Sequence, residues 1–102
     1  MRDIKVTVIE SLVMENLVKE YAAPGLGICT KHQVGEVHIS PRGQSPPGFC
    51  EEAWKSISHY AFAMAHGAQG FWPQWIAQRN VAIVCCNDAL RPVFFKLEPV
   101  EE

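Results

Sequence analysis

The chain has 102 residues, 48% hydrophobic and 20% charged, with a formal net charge of −2. That length supports one hydrophobic core and is short for two, so a single domain over residues 1–102 is expected. Its charges are interspersed, so no basic stripe offers itself to nucleic acid, and no stretch approaches the roughly 20 apolar residues that a membrane span needs.

The opening MRDIKVTVIE alternates and carries Asp3 and Glu10, which reads as a strand and not as a secretory leader. Without a leader the chain is expected in the cytoplasm, where thiols stay reduced. IKVTVI is predicted to be a first strand with Ile4, Val6 and Val8 on one face. Ser11 is a suitable N-cap, and LVMENLVKEYA places Leu12, Leu17 and Tyr21 near helical spacing until Pro24-Gly25 stops the helix. PGLGIC is a turn-rich loop. Val37 to Ile39 is a short strand, followed by PRGQSPPGF, whose three prolines and two glycines make a fixed, extended loop and exclude helix.

Cys50 opens a second helix, CEEAWKSISHYAFAMAHG, with Glu51 and Glu52 in the first turn to complement the helix dipole. Its apolar stripe is Ala53, Trp54, Ile57, Tyr60, Ala61 and Met64, and Gly67 falls where a left-handed residue closes a helix. An aromatic-rich connection, AQGFWPQWIAQRN, leads to VAIVCC and VFFKLE, two strands joined by the polar turn NDALRP. VAIVCC is apolar at every position, which predicts a central strand covered on both faces. The closing EPVEE is expected to fray. The sum is an α+β fold: a small, mostly antiparallel sheet of about four strands with two main helices against it.

The four cysteines carry the functional question. Side chains alternate along a strand, so Cys85 and Cys86 point to opposite faces and only one of them can serve a given pocket. Cys29 ends a glycine loop three residues before His32, Cys50 starts a helix, and Cys86 ends a strand. Ends of elements can converge where their middles are committed to the core. Thiolates and an imidazole so gathered suit tetrahedral zinc, with Cys29, His32, Cys50 and Cys86 as the metal ligands. Buried structural thiols are the plain alternative. If one thiol is a nucleophile, Cys50 is the best placed, at a helix start.

The remaining motifs have simpler readings. His59 and His66 lie one heptad apart on a solvated flank, and His38 carries no partner signal. Phe71, Trp72 and Trp75 form an aromatic cluster that reads as a satellite core, a pocket wall or a self-association patch. Turn chemistry accounts for Asn87-Asp88.

VKEYAAPGLGIC, VGEVHI, PPGFCEEAW, GFWPQW and CCNDALRPVFFKLE occur in that order over nearly the whole chain. In this the chain resembles a family of small, functionally uncharacterised prokaryotic proteins, frequent in anaerobes, with the pattern KEY…PGLGxC, PxGxCxxAW, FPW and CxD…RPVVFKIE. The resemblance matches Cys29, Cys50 and Cys86 to recurring cysteines and Cys85 to a position where small residues such as alanine are common. The aromatic loop is longer here. The resemblance implies no mechanism.

Three functional expectations stand side by side. The first is a cytoplasmic accessory protein with a thiol or metal site at Cys29, Cys50 and Cys86, joined by His32. The second is a non-catalytic module that binds a partner or a second copy of itself through Phe71, Trp72 and Trp75. The third is a small thiol enzyme with Cys50 as nucleophile.

Overall fold

The computed structural model describes residues 1–100. Its elements are β1 (Ile4–Ser11), α1 (Glu15–Tyr21), β2 (Val37–Ser40), a single 3-10 turn (Pro41–Gly43), α2 (Glu51–Ala65), β3 (Ala82–Cys85) and β4 (Val93–Pro99). The strands form one antiparallel sheet in the order β2-β1-β4-β3, and the architecture is α+β with a small sheet.

Alternation along the strands places the core. Ile4, Val6 and Val8 of β1, and Val93, Phe95 and Leu97 of β4, are at most 2% exposed. They pack against Ala53, Ile57, Ala61 and Met64, the buried positions of α2 that fall at helical spacing. Trp54 and Tyr60 of the expected stripe flank this core half-buried. Past the end of α2, Gly67 takes φ +98° and its N–H bonds to Met64 O, the left-handed ending that the sequence predicts.

Four expectations are corrected. Ser11 does not cap a helix: β1 runs through it, and Leu12 and Met14 donate N–H bonds to Pro92 O and Leu90 O. The chain is therefore still held to the segment before β4, and α1 starts only at Glu15, with no fully buried residue. VAIVCC supplies an edge strand and not a central one, with Ile83 and Cys85 on its exposed face. Its apolar composition fits because α2 reaches over that edge, where the Ser56 hydroxyl donates to Cys85 O at 2.8 Å. The proline loop contains the Pro41–Gly43 turn, whose arginine, Arg42, adopts φ +54°. Of EPVEE, Pro99 belongs to β4 and Val100 N–H is bonded to Asp3 O, while Glu101 and Glu102 lie outside the described residues.

Two irregularities position the functional region. β1 and β4 slip by one residue between Val8 and Glu10, a bulge that bends β1 beside its partner. Val8 also exchanges backbone bonds with the loop before β2, through Glu36 O and Gly35 N–H. That holds the loop carrying Cys29, His32 and Glu36 against the start of α2.

Candidate functional site

Cys29, Cys50 and Cys86 line one pocket of about 380 Å³, together with His32, Lys31, Asp88 and Arg91. Each comes from a different part of the chain: the loop before β2, the N-cap of α2, and the residue after β3. All three are half-buried free thiols. Cys85, by contrast, is exposed and lies outside this pocket. Desolvation of its thiol, with Cys86 alongside, raises its pKa above the ordinary range.

Cys86 is fixed from several directions. Its N–H bonds to Val93 O at 3.0 Å, and its sulfur accepts N–H bonds from Val93 at 3.3 Å and Asp88 at 3.5 Å. The Asp88 carboxylate in turn accepts the N–H groups of Leu90 and Arg91 and pairs with the Arg91 guanidinium at 3.1 Å. Burial tends to raise the Asp88 pKa, but those donors outweigh it and leave the carboxyl below its usual range. On the same wall, Glu52 is held by Lys55 at 2.8 Å and by Asn87 Nδ2 at 3.1 Å.

His32, 3% exposed, is the centre of the opposite wall. The backbone N–H of Cys50 donates to its Nε2 at 3.2 Å. That nitrogen must offer a lone pair, so a neutral ring carries its proton on Nδ1, which faces Glu36 Oε1 at 3.0 Å. Glu36 Oε1 also bonds to His38 Nε2 at 3.0 Å, and Oε2 accepts the Gln33 N–H at 3.0 Å. The hydrogen bonds from His38, His32 and Gln33, in that order of weight, lower the Glu36 pKa from 4.5 to about 2.

His32, Glu36 and His38 each bring one ligand atom within 4.8 Å of the others, a group that could hold a metal ion. Among the described residues, no such trio includes a cysteine sulfur. The cysteines thus share a pocket without forming a compact tetrahedral set, and both nitrogens of His32 are engaged elsewhere. A metal on Nδ1 of His32 would put the ring proton on Nε2, facing the Cys50 N–H donor, so capture there costs that contact. Glu36 and His38 were not singled out from the sequence. The spacing His-x-x-x-Glu-x-His was there to be read, but the strand that turns His38 back toward Glu36 was not.

The aromatic cluster divides. Phe71 packs half-buried beside Tyr60 at a ring separation of 5.8 Å. Trp72 and Trp75 stack on each other at 5.3 Å and are 47% and 68% exposed. His59 and His66 are exposed on α2.

The Glu36 arrangement has a measurable consequence. Its folded-state pKa lies below the unfolded value, so its stabilisation is full above about pH 4.5 and is lost as pH falls toward 2. The side chain is 36% exposed, and solvent screening reduces the effect to about 1 kcal/mol. Urea denaturation of the wild type and Glu36→Gln should therefore differ at pH 7, with a gap that narrows below about pH 4.5 and closes only below about pH 2. A gap undiminished between about pH 7 and pH 2 would exclude the ionised carboxylate as its source.

No helix among the described residues is long and apolar enough to cross a membrane. Comparison with protein-family models, with curated proteins and with solved structures gives no match to this chain.

Proposed function

We propose that the chain is a small thiol-site protein whose working surface is the pocket lined by Cys29, Cys50 and Cys86. One observation carries the reading: three cysteines from separate segments, the loop before β2, the N-cap of α2 and the residue after β3, line the same cavity. Core-filling thiols need only apolar neighbours and have no reason to share a cavity with Lys31, Asp88 and Arg91. Thiolates in such a setting bind thiophilic metals, zinc among them. In this reading His32 acts as a support. It accepts the Cys50 N–H and so fixes the first turn of α2 beneath the Cys50 sulfur.

Thiol labelling of the reduced protein under anaerobic conditions, with and without one equivalent of cadmium, tests the proposal. Cadmium is expected to protect Cys29, Cys50 and Cys86 together and to leave Cys85 reactive. Labelling of all four thiols unchanged by the metal would refute a shared site. Rapid modification of Cys50 alone, with no joint protection, would replace this reading with that of a thiol enzyme.

A further inference from the structure

The arrangement of the three thiols narrows the kind of metal centre, an inference that rests on the thiol-site reading above. A single tetrahedral zinc, with Zn–S bonds near ~2.3 Å, needs ligand sulfurs ~3.8 Å apart. Here the sulfurs of Cys29, Cys50 and Cys86 do not all lie within 4.8 Å of one another, nor does any two of them with a ligand atom of His32. Two of the three are also anchored. Cys86 is tied through its N–H and its sulfur to Val93 and Asp88, and Cys50 caps α2 with its N–H on His32 and its C=O accepting the Trp54 N–H. Drawing all three sulfurs onto one ion takes side-chain rotation and costs the two N–H bonds to the Cys86 sulfur.

A polynuclear centre imposes no such demand. In a thiolate-bridged copper cluster the protein sulfurs themselves bridge metals and must still crowd together. In an iron–sulfur cluster inorganic sulfide does the bridging. Each cysteine is then a terminal ligand on its own iron, so the ligand sulfurs stand farther apart than around a single ion. The geometry points to a cuboidal iron–sulfur cluster in this pocket, held by the thiolates of Cys29, Cys50 and Cys86.

Three further features suit that ligand. The pocket, about 380 Å³, has room between its walls for an inorganic core. The two N–H groups aimed at the Cys86 sulfur are the donors that stabilise a cluster thiolate. Asp88 is paired with Arg91 and Glu52 with Lys55, so among the described residues lining the pocket Lys31 is the cation without an ion-pair partner, beside a centre that three thiolates would make anionic. The fourth cysteine, Cys85, lies outside the pocket, so one iron of a four-iron core would have no protein thiolate and would be open to a small exogenous ligand.

The full chain, reduced and incubated anaerobically with equal amounts of ferrous and ferric iron and with sulfide, is the test; two of each iron with four sulfides make the core without a further oxidant. The proposal expects about four iron and four sulfide per chain and a broad visible absorption that bleaches with dithionite. Cys29→Ser, Cys50→Ser and Cys86→Ser should each lower retained iron by about tenfold or more after desalting, while Cys85→Ser retains it. Circular dichroism of each variant separates loss of ligand from loss of fold, and Cys→Ala at the same position replaces any variant that is unfolded. Retained iron that is indifferent to all three substitutions, or no coloured centre at all, would overturn the cluster. If cadmium still protects the three thiols jointly in a chain that takes up no iron and sulfide, the thiol site stands and the cluster alone is wrong. If cadmium protection fails as well, both readings fall.

Discussion

Gly43→Ala is expected to destabilise the protein by about 2–4 kcal/mol, the sum of backbone strain near 1 kcal/mol and overpacking of 1–3 kcal/mol. Gly43 is buried at the end of the Pro41–Gly43 turn with φ +82°. A Cβ there would meet Phe62 Cα at 3.0 Å, Ala61 O at 3.2 Å and Ala65 Cβ at 3.2 Å. Those atoms belong to the backbone and the shortest side chains of α2, which have no rotamer through which to yield. The turn can retreat only by giving up the Arg42 N–H bond to Asp3 and the adjoining β1–β2 pairing. Gly35→Ala is the matched control, because Gly35 has φ +98° but open space where its Cβ would stand. It should lose only the conformational part, about 1 kcal/mol. Urea midpoints for the two variants separate the contributions, and a shift for Gly43→Ala no larger than for Gly35→Ala would show that the turn does not press on α2.

What could be read from the residues alone followed from periodicity. The alternation of Ile4, Val6 and Val8, and the helical spacing of Ala53, Ile57, Ala61 and Met64, each depend on local geometry, and the burial of each set follows from it. The same alternation separated Cys85 from Cys86. Strand order was less accessible. An unbroken apolar run predicts a strand covered on both faces, but β3 lies at the edge of the sheet and is covered on one face only, with Ile83 and Cys85 exposed on the other. Ser11 shows the same limit: a good capping residue was overruled by backbone pairing to residues about eighty positions away. The site was legible in part for a similar reason. Element ends account for Cys50 and Cys86, whereas Cys29 stands in the middle of the loop between α1 and β2. How far apart their sulfurs stand is set by α2, the β3–β4 turn and the loop before β2 docking on one sheet, and no spacing along the chain encodes that distance. His32 was noticed for its proximity to Cys29, yet its partners, Cys50 N–H and Glu36, became visible only when that loop folded back onto α2.

His32→Ala should cost about 3–7 kcal/mol, and its effect should reach the thiols. Two contributions add. The ring is packed between Phe49, at a centroid distance of 4.6 Å, and Phe95, at 5.8 Å, so truncation leaves a cavity worth about 2–4 kcal/mol. It also strips the Cys50 N–H of its acceptor and Glu36 of one of its three donors, for about 1–3 kcal/mol if the freed groups stay dry. His32→Phe keeps most of the packing and removes only the polar contacts, so it should fall near 1–3 kcal/mol. The pair of variants divides volume from hydrogen bonding. Both should speed alkylation of Cys50, because both release the first turn of α2, whereas Cys85, on the far side of its strand, should react as before. Were His32 a surface ligand instead of a support, truncation would leave the urea midpoint within about 0.5 kcal/mol of wild type. Were it packing alone, the phenylalanine variant would match wild type both in stability and in Cys50 labelling. The buried ring linked to Cys50 on one side and Glu36 on the other allows neither result: it couples the folding of the loop before β2 to the position of a cysteine in the pocket.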